Sequence, residues 1–166
     1  YATVNMLDAY DSYGVTSATR GLLLFDDRSR VLLRDEIICS SPSEMYWFAH
    51  TQADITLSND QKTAELKING KTLLAQIAAP SNAVFTVMAA DPLSTSPNPS
   101  GQKSRTEYQK LAIHLKNVTT ANIAVVFTPV VEENDRNQSL PTESISNFSA
   151  LLTSYDQSRT LTANSQ

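Results

Sequence analysis

The sequence predicts an all-β fold, an antiparallel β-sandwich of the jelly-roll kind with a short helix near its C-terminus. Apolar segments of strand length recur about every 8 to 15 residues, turn-forming residues separate them, and no helical periodicity interrupts them before residue 130. A chain of 166 residues is long enough to bury one proper core. We therefore expect a β-sandwich domain over residues 1–130 and a polar tail over residues 131–166.

The first strands form a predicted hairpin. The apolar runs 21–25 and 31–39 flank the turn-forming residues DDRS, and at least one of these strands is buried on both faces. Residues 40–43 contain a proline and three serines, which predicts a loop. The turn and second strand of this hairpin carry three arginines, Arg28, Arg30 and Arg34. We interpret them as a solvated strand edge, the alternative being a basic strip on an acidic protein.

Residues 45–58 alternate as one further strand. One face is apolar and consists of Trp47, Ala49, Thr51, Ala53, Ile55 and Leu57. The other face is mostly polar, with Phe48, His50, Gln52, Asp54 and Thr56. We expect this second face to meet solvent or another domain.

Later elements follow from turn chemistry. Asn69-Gly70 between two apolar runs predicts a tight hairpin, because both central residues of such a turn take positive φ. The apolar residues 83–89 predict a strand. Residues 91–102, with three prolines, predict a long loop. Two more strands, 110–116 and 122–128, are predicted to be joined by NVTT. Helical spacing of apolar residues predicts a short amphipathic helix over 142–156, formed by Ile145, Phe148, Leu151, Leu152 and Tyr155.

Composition excludes several classes of function. A net charge of -4 and a pI near 5.1 give no electrostatic reason to bind nucleic acid. The single Cys39 permits no intrachain disulfide, and its apolar neighbours predict a buried thiol. No apolar run reaches the ~20 residues that cross a bilayer, so no membrane partner is expected. The N-terminus is not a signal peptide and has no initiator methionine, so we expect a piece of a longer protein.

No catalytic or metal site emerges from the residues. His50 and His114 lie outside every metal-ligand spacing, and the four glycines form neither a nucleophile elbow nor a phosphate loop. Asp35 and Glu36 point to opposite faces of a strand, so they cannot act as an acid and base pair. The residues that we single out for substrate binding are Tyr46, Trp47 and His50. The plainer alternatives are core packing for Trp47 and an ordinary surface role for each histidine.

Taken together, the ordered segments resemble a known family. The segments are DAY ending at Tyr10, RGLLLFDDRSRVLLRDEI, WFAHTQADITL, AELKINGKTLLAQIAAPSNAVF, KLAIHL and IAVVFTP. In this order they resemble the C-terminal β-sandwich part of heparinase II/III-like polysaccharide lyases. The resemblance covers residues 1–129 and leaves out the tail.

The resemblance implies a secreted or periplasmic protein in which an N-terminal helical toroid packs on the sandwich. It also implies a parent reaction of β-elimination on a uronic-acid polysaccharide, with any zinc or calcium held upstream of this chain. Tyr10 and His50 match the strand pattern of the family, and neither matches a catalytic position. The chain alone is therefore expected to be a non-catalytic domain with two partners, the toroid and an acidic polysaccharide, and no cofactor of its own.

Two other interpretations stay open. In a carbohydrate-binding module, Tyr13, Tyr46, Trp47 or the loop 91–102 contacts sugar. In a structural interaction domain, the polar face of the strand from Trp47 to Leu57 docks on the missing toroid and the isolated chain exposes an apolar patch. Sequons at Asn117, Asn137 and Asn147 carry glycans only in a eukaryotic source.

Overall fold

The computed structural model describes residues 1–101 and 105–151. Strands dominate this part of the chain and all pair antiparallel. In chain order they are β1 (Ala2–Asn5), β2 (Val15–Phe25), β3 (Arg30–Thr51), β4 (Asp54–Leu57), β5 (Thr63–Ile68), β6 (Lys71–Ala79), β7 (Phe85–Ala89) and β8 (Gln109–Val130). A helical turn, α1 (Leu7–Tyr10), and a 3₁₀ turn, Asp11–Tyr13, connect β1 to β2.

Two long strands, β3 and β8, run through both layers of the fold. Their pairing runs from Val31 with Phe127 to Thr51 with Gln109. The register shifts between Ile38 and Met45, and Asn117 takes a φ of 56°, so both strands bend at the same place. The loops predicted at residues 40–43 and 117–120 are wrong, because the chain stays extended through both corners instead of ending a strand there.

The bend creates two layers. The main layer has the order β1, β2, first half of β3, second half of β8, β6, β5, β4. The short layer consists of residues 43–51 of β3, residues 109–115 of β8, and β7. Side chains from both layers form one core cluster, with Trp47, Phe85 and Ile113 from the short layer and Leu66, Ile77 and Val125 from the main layer. The predicted all-β antiparallel sandwich is confirmed.

The tight turn predicted at Asn69-Gly70 is confirmed. Asn69 and Gly70 take φ angles of 51° and 70° between β5 and β6, as the tight turn requires. The single strand predicted over residues 45–58 is wrong in extent. The chain leaves the sheet at Gln52 and Ala53, after which β4 pairs with β5 instead of β8.

The outer face of the main layer is covered by the segment 139–151. Phe148 and Ile145 pack on Leu23, Phe25 and Leu32 in a second core cluster. Helical turns begin at Ile145 and continue to residue 151, which confirms a short C-terminal helix; Leu152 and Tyr155 of the predicted helix lie outside the described residues. The division of the chain at residue 130 stays a prediction.

The predicted solvated strip of arginines is wrong for two of its three members. Arg30 and Arg34 are buried, while Arg28 is exposed in the turn. Arg30 donates to the Ser139 carbonyl oxygen at 2.8 Å and Arg34 to that of Thr142 at 3.1 Å. The two guanidinium groups therefore hold the C-terminal segment, and the partners that bury them lie more than 100 residues away in sequence.

Candidate ligand groove

An open groove of about 680 Å³ runs between the two layers at one edge of the sandwich. Its base is the inner face of β2 and β3 in the main layer, at Arg20, Asp35 and Ile37. One wall is formed by residues 6–13, and the other by residues 43–48 of β3 with Thr95, Ser96 and Pro97 from the loop after β7. The groove exists because the short layer covers the β6 side of the main layer and leaves β1 and β2 open.

A bidentate ion pair lies at the base of the groove. Nε and Nη2 of Arg20 donate to the two carboxylate oxygens of Asp35 at 2.6 and 2.7 Å. The Asp35 side chain is buried, whereas that of Arg20 is 36% exposed toward the groove. The hydrogen bond to Asp35 raises the pKa of Arg20, and electrostatic interactions with Asp35 and Tyr10 act in the same direction, whereas burial opposes them. Arg20 therefore stays charged, and its bidentate contact with Asp35 is of the strong, charge-assisted kind.

Two tyrosines stand on the wall that residues 6–13 form. Tyr10 is 45% exposed and Tyr13 is 74% exposed. The Asn5 side chain accepts the Leu7 N–H at 2.9 Å at the start of α1, and Gly14, with a φ of 78°, ends the following 3₁₀ turn. The hydrogen bond and the left-handed glycine define a short connection between β1 and β2. This connection holds both aromatic rings at the rim of the groove.

The opposite wall carries a column of stacked rings. Tyr46 lies between His114, with ring centroids 4.0 Å apart, and Phe48, at 5.4 Å. His114 Nε2 lies 2.5 Å from a carboxylate oxygen of Glu44. The ammonium group of Lys110 lies 4.7 Å above the Phe48 ring. The column fixes the position of Tyr46 beside the groove.

The same lysine also fixes the loop that follows β7. Lys110 is buried and donates to the Asp91 carbonyl oxygen at 2.7 Å. Asp91 begins the irregular stretch that brings Thr95, Ser96 and Pro97 to the rim. The rim on this side is therefore tied to the stacked rings.

The three residues that the sequence selected for substrate binding fall in different places. Tyr46 is half-buried and Trp47 is buried in the core, and both border the groove, from opposite faces of β3. His50 is exposed on the Tyr46 face, beyond the residues that line the groove. Their role in binding stays a prediction.

Sequence reasoning missed Arg20 and Asp35 as a pair. The available signal was a charged residue alternating with Leu22 and Leu24 on one apolar strand face, which indicates a paired charge. Residues 1–101 and 105–151 contain no cluster of three or more histidine, cysteine or carboxylate side chains that could hold a metal ion. Nor does any helix in these two stretches have the length and apolar character to cross a membrane.

Fold and groove together define a two-layer antiparallel β domain with an open cleft at one edge. Neither a protein-family model nor a curated protein matches the sequence. Among solved structures, the fold is similar to heparan sulfate lyase HepC from Pedobacter heparinus, with a TM-score of 0.51 over 70% of this chain and 11% sequence identity. The chain spans 18% of the length of that lyase. At this identity the likeness shows a shared fold alone.

Proposed function

We propose that this chain is the non-catalytic β-sandwich domain of a secreted or periplasmic polysaccharide lyase of the heparinase II/III-like type. In this proposal the parent protein cleaves a uronic-acid polysaccharide by β-elimination, and the sandwich supports its catalytic toroid and substrate cleft. The fold likeness to part of a heparan sulfate lyase supports the proposal, as does the order of the strand motifs. Any zinc or calcium of the parent belongs upstream.

The observation that carries the supporting role is an uncovered apolar sheet face. Val4, Leu22 and Leu24 are 52%, 42% and 43% exposed, and all three lie on the inner face of the main layer. On the same face the neighbouring Leu33 is packed into the core. A half-covered inner face of this kind fits a domain whose remaining cover comes from another part of the protein.

The first experiment asks whether the chain has lyase activity. The purified chain is incubated with heparin, heparan sulfate, alginate and pectin, and the ultraviolet absorbance of unsaturated uronates is followed. We expect no new absorbance. A sustained rise with any of these substrates, absent from a heat-denatured control, would show that the domain is catalytic and would refute the proposal.

The second experiment tests the docking face. The chain is co-expressed with the N-terminal remainder of its parent, and the two parts are expected to co-purify. Replacing Leu22 and Leu24 with serine should weaken the association, because it removes the apolar contact. A matched control replaces two apolar residues of similar exposure elsewhere, Ile68 and Val87. Equal loss in both double variants, or no loss in either, contradicts the docking role.

A second candidate function is a carbohydrate-binding module. The observation that favours it is the groove itself, which exposes Tyr10 and Tyr13 at its rim. Aromatic rings with one polar end suit ligands that carry both apolar faces and hydroxyl groups. Binding of a glycan without new absorbance would support this candidate.

A further inference from the structure

The groove has the dimensions of a small-molecule site. Its volume of about 680 Å³ lies within the ~300–1,000 Å³ typical of ligand pockets. Its lining combines aromatic rings, the side chains of Met6 and Met45, and the hydroxyl groups of Thr95 and Ser96. This mixture suits a ligand with apolar faces and polar edges.

The charges of the groove select against an ionic ligand. Arg20 is the only cation among its described lining residues, and Asp35 occupies two of its nitrogens. The one other charged lining residue is Glu44 at the rim, which pairs with His114. An anionic sugar would meet no unpaired cation and two carboxylates, and a cation would meet only Glu44, an exposed carboxylate at the rim that already contacts His114.

Hydrogen-bonding groups nevertheless stay available along the groove. In residues 1–101 and 105–151, Arg20 Nη1 and the hydroxyls of Tyr10 and Tyr13 make no hydrogen bond to the protein. Residues 43–48 of β3 pair with β8 on one side only, so their other side presents backbone donors and acceptors. The indole N–H of Trp47, a residue that also borders the groove, is buried and finds no partner among the described residues.

We propose that this groove binds an uncharged glycan, a chain of sugar rings without carboxylate or sulfate groups. The rings of Tyr10 and Tyr13 pack on the C–H faces of the sugar. Arg20 Nη1 and the free backbone groups of residues 43–48 of β3 form hydrogen bonds with its hydroxyl groups. This inference rests on the second candidate function, the carbohydrate-binding module, and not on the lyase relationship; the site differs in charge preference from the acidic polysaccharide expected as substrate of the parent.

A matched pair of probes isolates the charge preference. Oligogalacturonate and its fully methyl-esterified form share one backbone and differ in charge. Both are titrated into the purified chain by calorimetry, alongside gluco-, manno- and chito-oligosaccharides. We expect at least one uncharged oligosaccharide to bind, and the ester to bind at least as tightly as the acid. Tighter binding of the acid, or no binding of any uncharged oligosaccharide, overturns the proposal.

Variants test where binding occurs. Tyr13→Ala should lower the affinity for the uncharged oligosaccharide about tenfold, because it removes an exposed stacking ring. Its matched control is Tyr1→Ala, which removes an exposed ring outside the groove. Unchanged affinity in Tyr13→Ala, or an equal loss in both variants, overturns the assignment. Absorbance in the lyase assay is a separate readout, so failure of either proposal is recognised independently of the other.

Discussion

Gly21 lies directly beneath the C-terminal segment, and its replacement by alanine tests how tightly that segment is docked. An added Cβ would lie 2.7 Å from Cε2 of Phe148 and 2.9 Å from Cγ1 of Ile145, well inside the ~3.5–4.0 Å of a normal carbon contact. Phe148 is fully buried and its segment is held by Arg30 and Arg34, so it cannot retreat without cost.

The expected magnitude combines two opposing effects. Overpacking a core costs about 1–3 kcal/mol. Replacing glycine within a strand recovers about 0.5–1 kcal/mol. The net cost of Gly21→Ala therefore lies within about 0–2.5 kcal/mol, and the 2.7 Å approach to a buried ring favours the upper half of that range, measured as the free energy of unfolding in urea.

A double-mutant cycle makes this prediction specific. Phe148→Ala alone should cost about 3–5 kcal/mol. In that background the cost of Gly21→Ala should fall, because the ring at 2.7 Å has gone and Ile145, which still lies 2.9 Å away, gains room to move. Gly70→Ala is the matched control: a Cβ there meets no atom within 4 Å, and its cost, which comes from a φ of 70°, should be equal in both backgrounds. The reasoning is refuted if the cost of Gly21→Ala is also the same in both.

Three further predictions concern the anchor, the corner and an ion pair. Arg30→Met should cost about 2 kcal/mol, since it removes hydrogen bonds to Asp26, Thr128 and the Ser139 carbonyl, and it should speed hydrogen exchange across residues 139–148, which the last of these bonds holds; unchanged exchange would contradict the anchor. Asn117→Val should cost about 1–2 kcal/mol in urea denaturation because φ is 56° there, whereas Asn117→Gly should be tolerated; equal costs would contradict the bend. Hydrogen bonds from Lys67, the larger effect, and from Arg136 lower the pKa of Glu65 below its ordinary 4.5. The ionised Glu65 therefore stabilises the folded state above pH 4.5, and this stabilisation is lost as the pH falls through the folded pKa. Glu65→Gln should therefore lower the urea midpoint at neutral pH but not near pH 2, and a deficit that persists in acid would exclude this ion pair as its cause.

Short-range signals predicted much of the fold. The Asn69-Gly70 turn depends only on the φ preferences of its own two residues, and alternation along 45–51 depends only on the pleat of one strand. Both hold because they require nothing from distant parts of the chain. The same reasoning separated Asp35 from Glu36, which indeed face different partners, Arg20 and the Ile145 N–H.

Signals that depend on distant partners were misread. Pro42 and the NVTT run have loop-forming composition, but the pairing of β3 with β8 on both sides of the corner keeps the chain extended there. Arg30 and Arg34 also pair with the nearby Asp26 and Glu36, but they looked solvated because the C-terminal segment that covers them contacts them through carbonyl oxygens. Backbone carbonyls leave no trace in a residue pattern, so no local reading of the sequence would have found these contacts.

In the groove, too, the sequence shows individual residues but not the distant contacts that bring them together. Tyr10 and Tyr13 were visible as aromatic residues, yet the wall that they form depends on how α1 leaves β1 and returns to β2. The opposite wall comes from β3 after its bend. A cleft between two layers is a property of the topology, which single-sequence patterns predict only as a class.

The passage of β3 and β8 through both layers has a consequence for how the domain comes apart. In a sandwich of separate sheets, one sheet can loosen while the other persists. Here the same two strands pair in both layers, at the centre of the main layer and with β3 at the edge of the short one, so loosening one layer strains the pairing that continues into the other. The domain should therefore melt as one cooperative unit. It should also fold slowly, since the pairing of Val31 with Phe127 must close a very long loop.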